Sequence, residues 1–468
     1  MRLRAIFTNS SGILFSRITG LFRDVFMASA LGASVWSDMF FVAFKLPNLF
    51  RRIFAEGAFT QAFMPAFIAS RHKGVFATTV LLRFLLFLVA LSLLVTFFPE
   101  PVTKLTAWGW DETRITQTAP LTAVNFWYLD LIFLVTFAAT LLQYKEHFAT
   151  TAFGTALLNI AMIGTLWLFM RHDPATVALA LSFGVLLGGV LQVALHLYML
   201  HRFKLDRLLR LGWKYRKKKK IDDETKRFYR LFFPGIVGNA APQLSSFIDT
   251  LLATFLTAGS VSYLFYANRI FQLPLALIAV ATSVALFPSI AKALKAGREN
   301  EAYDALKRAF WLLMFLLGLA TLGGIIFAEP IIWLLFERGN FTHAQTLQTA
   351  SVLQMYMIGL IPYGLAKLFS LFLYAAHRHT DAAKVSVVSL VVTVTLSLFL
   401  MKSMQAAGLA LAGSFGGWAL FLYTVYHVGF DKLLSILKHR YTLLFFIVMP
   451  LAALLFAYIN TFLLAFIR

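Results

Sequence analysis

Cysteine is absent from the 468 residues, which excludes disulfides and thiolate metal sites and leaves the redox compartment unread. Charge is scarce: charged residues make up 13% of the chain, where an ordinary soluble domain carries about 25%. Acids are scarcer still, 21 against 42 Lys and Arg. The zinc-ligand spacing H-E-x-x-H and the phosphate-cradling G-x-x-x-x-G-K-[ST] are both missing, which removes the common metallohydrolases and nucleotide-driven pumps. Histidines scatter over "RHK", "HRHTD" and "KHR", so no catalytic constellation forms, no cofactor is implied, and the chain reads as a non-enzyme. Any driving energy must come from a gradient or from the substrate. Ten-residue segments of alternating polarity, the mark of a membrane β-barrel, are also missing. The start, "MRLRAIFTNSSG", lacks a short apolar core with a small-residue cleavage site, so the first apolar run reads as a retained span.

What is present is hydrocarbon. Hydrophobic residues make up 60% of the chain, in repeated runs long enough to cross roughly 30 Å of bilayer core. We read about thirteen spans, near 5–31, 36–56, 76–98, 122–143, 150–170, 176–200, 229–257, 261–290, 308–328, 347–376, 382–402, 405–428 and 441–466. Each must be a helix, because a lone helix satisfies its own backbone hydrogen bonds in lipid. The expected fold is an all-α polytopic membrane helix bundle.

The net charge of +21 invites a nucleic-acid reading, but the cations alternate by loop. "HRFKLDRLLRLGWKYRKKKKIDDETKR", after the sixth span, holds twelve Lys or Arg, and "AKALKAGRENEAYDALKR", after the eighth, holds five. "PEPVTKLTAWGWDETRITQTAP", after the third, holds two against three acids. Positive loops stay in the cytoplasm, so even-numbered spans exit there and the N-terminus is expected to be cytoplasmic. "KYRKKKK" reads either as a topology signal on a solvated linker or as a site for anionic headgroups. A nucleic-acid partner would need a folded module with base-reading residues around the patch, and none is visible.

The basic segment divides the chain into similar halves. "FRDVFMASALGAS", Phe22 to Ser34, aligns with "FIDTLLATFLTAGS", Phe247 to Ser260, and "FMPAFIAS" from Phe63 with "LFPSIAKA" from Leu286. The expected organisation is an N-terminal lobe over 1–200, a basic linker over 201–228, a C-terminal lobe over 229–430 and an extra span over 431–468. Six spans per lobe put both starts on one side, as in parallel repeats about an axis along the membrane normal, with substrate at the midplane. Gly20, Pro47, Pro234, Pro242, Pro274 and Pro288 are expected to bend or interrupt spans.

Charges inside the spans are costly, about 2.5–3.5 kcal/mol each at a helix centre on insertion scales, so they normally face a partner or a water-filled path. The first two spans hold Arg17, Arg23, Asp24, Asp38, Lys45, Arg51, Arg52 and Glu56; elsewhere such charges are chiefly Asp130, Asp249, Arg269 and Lys367. Arg17 and Asp24 share a helix face, with Arg23 turned away by about 120°, and Arg52 and Glu56 are spaced to pair. Arg51 reads equally as an interfacial anchor whose head snorkels to the headgroups. The excess of arginine suits an anion, because a guanidinium grips phosphate bidentately and does not deprotonate. Asp130, Asp249 and Lys367 read either as ion sites or as packing partners.

"FSRITGLFRDVF", "SDMFFVAFKLPNLFRRIFAEGAFTQAFMP", "LLNIAMIG", "GGVLQV", "GSVSYLFYANRIFQLP" and "LFERGNFT" together resemble the MurJ (MviN) family of lipid II flippases, within the superfamily of multidrug, oligosaccharidyl-lipid and polysaccharide exporters. The resemblance implies a bacterial inner-membrane transporter. It would move lipid II, the undecaprenyl-diphosphate-linked peptidoglycan precursor, from the cytoplasmic to the periplasmic leaflet by alternating access, with the cell-wall synthesis machinery as a candidate partner. It implies substrate-binding roles for Arg17, Arg23, Arg51 or Arg52, and Arg269, and cavity or gate roles for Asp24, Asp38 and Glu56. Asp249 and Lys367 remain open between ion site and packing. The family usually has two spans after the second lobe where this chain shows one. Its eleventh span, "VSVVSLVVTVTLSLFL", offers hydroxyls in place of the acid some members use for sodium, which leaves membrane potential as the other energy source. Runner-up readings are a polysaccharide-lipid flippase and a cation-coupled small-molecule antiporter. A membrane scaffold for cell-wall enzymes is the non-transport alternative.

Overall fold

The computed structural model describes residues 3–52, 58–218, 221–375 and 378–467. Among them every regular element is helical, and contacts divide the chain into two compact units, Met1–Leu251 and Leu252–Arg468. The first unit holds α1 (Leu3–Leu31), α2 (Val35–Phe50), α3 (Thr60–Ala69), α4 (Lys73–Phe97), α5 (Pro99–Thr106), α6 (Glu112–Phe126), α7 (Tyr128–Tyr144), α8 (Ala149–Phe169), α9 (Pro174–Arg202), α10 (Leu205–Tyr215) and most of α11 (Asp222–Ala253). The second holds α12 (Ser260–Pro274), a π-helical turn Leu275–Val280, α13 (Ala281–Lys295), α14 (Glu299–Ile326), α15 (Ala328–Phe336), α16 (His343–Met357), α17 (Leu360–Ala375), α18 (His379–Val428), α19 (Phe430–Leu437) and α20 (Arg440–Ile467).

Nine helical stretches among the described residues are long and apolar enough to cross a membrane. One of them, α18, breaks at Gln405, whose φ of 51° and ψ of −133° are not helical, and so contains two of the expected spans. The ranges near 5–31, 36–56 and 229–257 overlap α1, α2 and α11, which are helices outside the nine; positions 53–57 lie outside the described residues. Among the described residues a single long helix, α20, follows α19.

In the first unit α1 packs on α8, and α8 and α7 pack on α9. Without a hydrophobic drive between helices in lipid, association rests on close packing of small residues. Gly184 and Gly188, one turn apart, let α9 approach α8 so closely that an added Cβ would lie 2.6 Å from Thr165 Oγ1 and 2.8 Å from the Cα of Leu158. A cluster of rings joins the start of α11 to its neighbours: Phe228 stands 5.9 Å from Phe59, and Phe232 stands 5.1 Å from Phe84, centroid to centroid. In the second unit α17 lies on α18, and α12 and α18 lie on α16. α20 touches α14 and α15 through Phe445 on Phe315 at 5.5 Å and Phe456 on Phe327 at 5.2 Å.

Of the expected helix-breakers, Pro47 and Pro274 are followed by π-helical backbone, at Arg51–Arg52 and at Leu275–Val280. A proline has no N–H for its turn and crowds the preceding one, and a widened turn is one way to relieve that. Gly20, Pro234 and Pro242 lie in unbroken helix, as does Pro288.

The basic segment 201–228 is more than linker. A turn with Lys204 at φ 59° leads into α10, which packs on α4 and α9. Gly212 and Gly74 bring the two backbones together, and a Cβ on Gly212 would overlap the Gly74 carbonyl. Thr78 Oγ1 donates to the Leu209 carbonyl at 3.1 Å. At the α9–α10 corner His201 Nδ1 lies 3.0 Å from Asp206 Oδ2 and must be the donor, since a carboxylate only accepts; Arg210 pairs with the same oxygen. The His201 hydrogen bond, reinforced by Arg210, pulls Asp206 down to about 2.

Gly212→Leu is expected to lift α10 from α4 and raise the rate of limited proteolysis within 201–228 by at least about fivefold, matching ~1 kcal/mol of overpacking; an unchanged rate contradicts this packing. Because Asp206 is depressed in the folded state, its contribution at the corner is complete above the ordinary carboxylate range and is lost as pH falls toward about 2. Proteolysis of the wild-type segment by a pH-tolerant protease is therefore expected to stay constant from pH about 8 to 5 and to rise only below that range.

Candidate functional site

The intramembrane charges of the first unit divide into those the protein satisfies and those it leaves open. Arg23 and Asp24 belong to the first kind. Asp24 is fully buried, with 0% exposure. It takes Nη2 of Arg23 at 2.6 Å and Nε at 3.0 Å on one oxygen, while Nη1 donates to Asn159 Oδ1 at 3.1 Å. Asn159 in turn donates to the Ser16 carbonyl and to Thr19 Oγ1, both at 3.1 Å. Neighbours in sequence thus pair where helical geometry had suggested Arg17 as the partner of Asp24. α1 does not unwind at Gly20; the flexible guanidinium bends back along the helix, and the buried amide of α8 fixes it there.

Arg17 is exposed and makes no hydrogen bond or ion pair with the described residues. Asp38 is 4% exposed, in the first turn of α2, where the helix dipole favours a negative charge. A capping box between Ser34 and Ser37 starts that helix, satisfying amide donors that would otherwise be orphaned.

The far end of α2 faces α11. Lys45 Nζ donates to Ser246 Oγ at 2.9 Å, with Asp249 and Arg52 within electrostatic range of the ammonium. Arg52 is exposed and reaches Gln243 Oε1 at 3.3 Å. Arg51 instead folds back on α2, with Nη2 and Nε at 2.8 and 3.0 Å from Asn48 Oδ1. Glu56, expected to pair with Arg52, lies outside the described residues. Asp130 accepts from Ser92 Oγ at 2.5 Å, joining α7 to α4.

In the second unit Arg269 is half-buried on α12, its Cζ 5.4 Å from the centroid of Phe265. Lys367 on α17 is exposed. Among the described residues no group of three His, Asp or Glu is placed to hold a metal ion.

The neutral partners were not singled out from sequence: Asn48, Asn159, Gln243 and Ser246. An amide within an apolar run is the signal that would have found them, since a buried amide needs partners in lipid as a charge does. Lys45 was recognised as an embedded charge, and the structure adds its hydrogen bond to Ser246 on α11.

The family model described as "Lipid II flippase MurJ" matches residues 27–467. This chain belongs to the MurJ family. The match runs through α20, so the last helix is part of what the family shares. A probable lipid II flippase MurJ from Helicobacter pylori (strain ATCC 700392 / 26695) is 48% identical over 424 residues, covering 88% of this chain and 92% of the relative. A probable lipid II flippase MurJ from Buchnera aphidicola subsp. Acyrthosiphon pisum is 31% identical, covering 96% and 88%. Among solved structures, lipid II flippase MurJ in an inward closed conformation superposes with a TM-score of 0.79 at 26% identity, covering 98% of this chain and 99% of that one. An inward-facing MATE-family multidrug transporter reaches 0.71 at 14% identity, covering 93% and 99%, a likeness of fold alone.

Asp24→Ala, which strands a partly buried guanidinium, is expected to destabilise the detergent-solubilised protein by about 3–5 kcal/mol. Asn159→Ala, which removes one neutral link, is expected to cost about 1–3 kcal/mol. Thermal unfolding of the purified variants checks both, and equal losses for the two would contradict the hierarchy.

Proposed function

We propose that this MurJ-family chain moves lipid II from the cytoplasmic to the periplasmic leaflet of the bacterial inner membrane by alternating access, with its membrane-embedded arginines gripping the diphosphate. The observation that carries the reading is the contrast among the arginines of α1 and of the turn that follows α2. Arg23 is pinned by Asp24 and Asn159, whereas Arg17 and Arg52 are exposed in an otherwise apolar bundle. A cation left accessible in such surroundings is matched by an anion with a fixed geometry, and a diphosphate offers two such groups to planar guanidinium forks. Arg269, half-buried on α12, is the remaining arginine of the proposed set. Arg23 and Arg51, folded back on groups of the protein, act as supports that present residual donors to the headgroup, while Arg52 reaches Gln243 from an exposed position. Asp24 and Asp38 balance the local charge, and Glu56 serves as the cytoplasmic gate.

No bond is made or broken in this reading, so the chain acts as a carrier and not as an enzyme. The N-terminus is cytoplasmic, supported by basic segments after the sixth and eighth spans. The enzymes that polymerise the delivered precursor are the natural downstream partners.

In a bacterium whose own flippase is replaced by this chain, lipid II is expected to be exposed at the outer leaflet, and Arg17→Ala, Arg52→Ala and Arg269→Ala are each expected to abolish that exposure at unchanged protein level. No exposure with well-expressed wild-type chain would overturn the flippase reading. Full exposure in all three variants would overturn the arginine grip while leaving the transport reading intact.

A further inference from the structure

The segment after α9 has a surface that the proposed function leaves unassigned. α10 turns its inner side, Leu205 and Gly212, onto the protein, where both are buried. On the flanks of the same short helix, large apolar side chains stay exposed: Leu211 at 56%, Trp213 at 54% and Tyr215 at 40%. At 100° per residue, Leu211 and Tyr215 share one flank and Trp213 takes the other, while Arg207, Arg210 and Lys214 point away from the docked side. Arg216 stacks on Trp213, its Cζ 3.6 Å from the ring centroid. Between Arg202 and Lys218 eight Lys or Arg stand against the one acid, Asp206, which is already matched by His201 and Arg210.

We propose that α10, with Arg216, Lys217 and Lys218 after it, is an interfacial helix that docks on the anionic phospholipid headgroups of the leaflet at this end of α4 and α9. Three features select a lipid surface. α10 is held by Gly74, Gly212 and Thr78 against the first turns of α4 and follows directly from α9, so it sits where two long apolar helices leave the membrane. Its exposed apolar residues are the type that settles at the headgroup boundary, with Trp and Tyr presenting an apolar body and a polar tip. Its cations greatly outnumber its acids, and arginine and lysine stems can lie along acyl chains while their heads reach phosphate. A solvated topology signal needs the charge, but it does not need Leu211, Trp213 and Tyr215 beside it.

The absence of native cysteine makes the test direct. L211C, labelled with an environment-sensitive fluorophore, is reconstituted as the full chain into vesicles of phosphatidylethanolamine alone or with about one quarter phosphatidylglycerol, and is quenched either by acyl-chain-borne nitroxide or by aqueous iodide. In the anionic vesicles the nitroxide is expected to dominate, with the effect weakening as ionic strength rises. In the neutral vesicles iodide is expected to gain at its expense. Adding R207Q, R210Q and K214Q is expected to lower the ratio of docked to undocked probe by about fivefold per removed cation. Equal quenching in both lipid compositions would overturn the proposal without recourse to the triple variant. Shielding from both quenchers, which means a protein covers this face, would overturn it as well.

Discussion

A charge placed among apolar helices must find a counter-group, and that requirement organises the first unit. With no water in the hydrocarbon to absorb an unmet donor, each guanidinium or carboxylate fixes the position of whatever answers it. Arg23, held by Asp24, reaches across to Asn159, which itself donates to Ser16, and these links set the register of α1 on α8. Lys45 and Arg52 reach to Ser246 and Gln243 and so tie the end of α2 to α11. Close glycine contacts supply the proximity between α8 and α9, but small residues alone leave sliding and rotation weakly specified; the polar links remove that freedom.

The same requirement separates support from function. Arg51 lies against Asn48 on its own helix, and Asp130 against Ser92. Such residues explain themselves as structure. Arg17, exposed and without a hydrogen-bonding partner among the described residues, does not. In the proposed reading, the cost of keeping it in an apolar bundle is offset by the ligand it would bind. Pro47 and Pro274 are both followed by π-helical backbone. The helical hydrogen-bond ladder is thus loosened at Arg51 and Arg52 in the first unit and shortly after Arg269 in the second.

Much of this was legible in the sequence because hydrocarbon imposes simple rules. Apolar runs of the right length had to be helices, and embedded charges had to be exceptional, so the all-α bundle and the positions of Arg17, Arg23 and Lys45 followed. The pairings did not. A helical wheel treats a side chain as a spoke and cannot show Arg23 folding back on Asp24, its neighbour, which only a long flexible guanidinium allows. Neutral partners such as Asn159 and Gln243 carry no charge to count, and their roles depend on which helix lies opposite. The segment 201–228 read as linker because its cations mask the apolar residues of α10, whose buried face is set by two glycines that sequence alone does not pair. Why Pro234 and Pro242 leave α11 helical while Pro47 and Pro274 precede widened turns has no account in local sequence.

Ligand-induced thermal stabilisation tests the central claim most directly, because it reads binding and integrity in one experiment. Purified chain is heated with and without saturating lipid II, where about 100-fold excess over the dissociation constant stabilises a binding-competent protein by about 2.7 kcal/mol. The account predicts that wild-type protein gains this stability and that Arg17→Ala unfolds at the wild-type temperature without ligand but gains little from it. An Arg17→Ala protein that gains as much as wild type would contradict the claim that the unpartnered arginine is kept for the substrate.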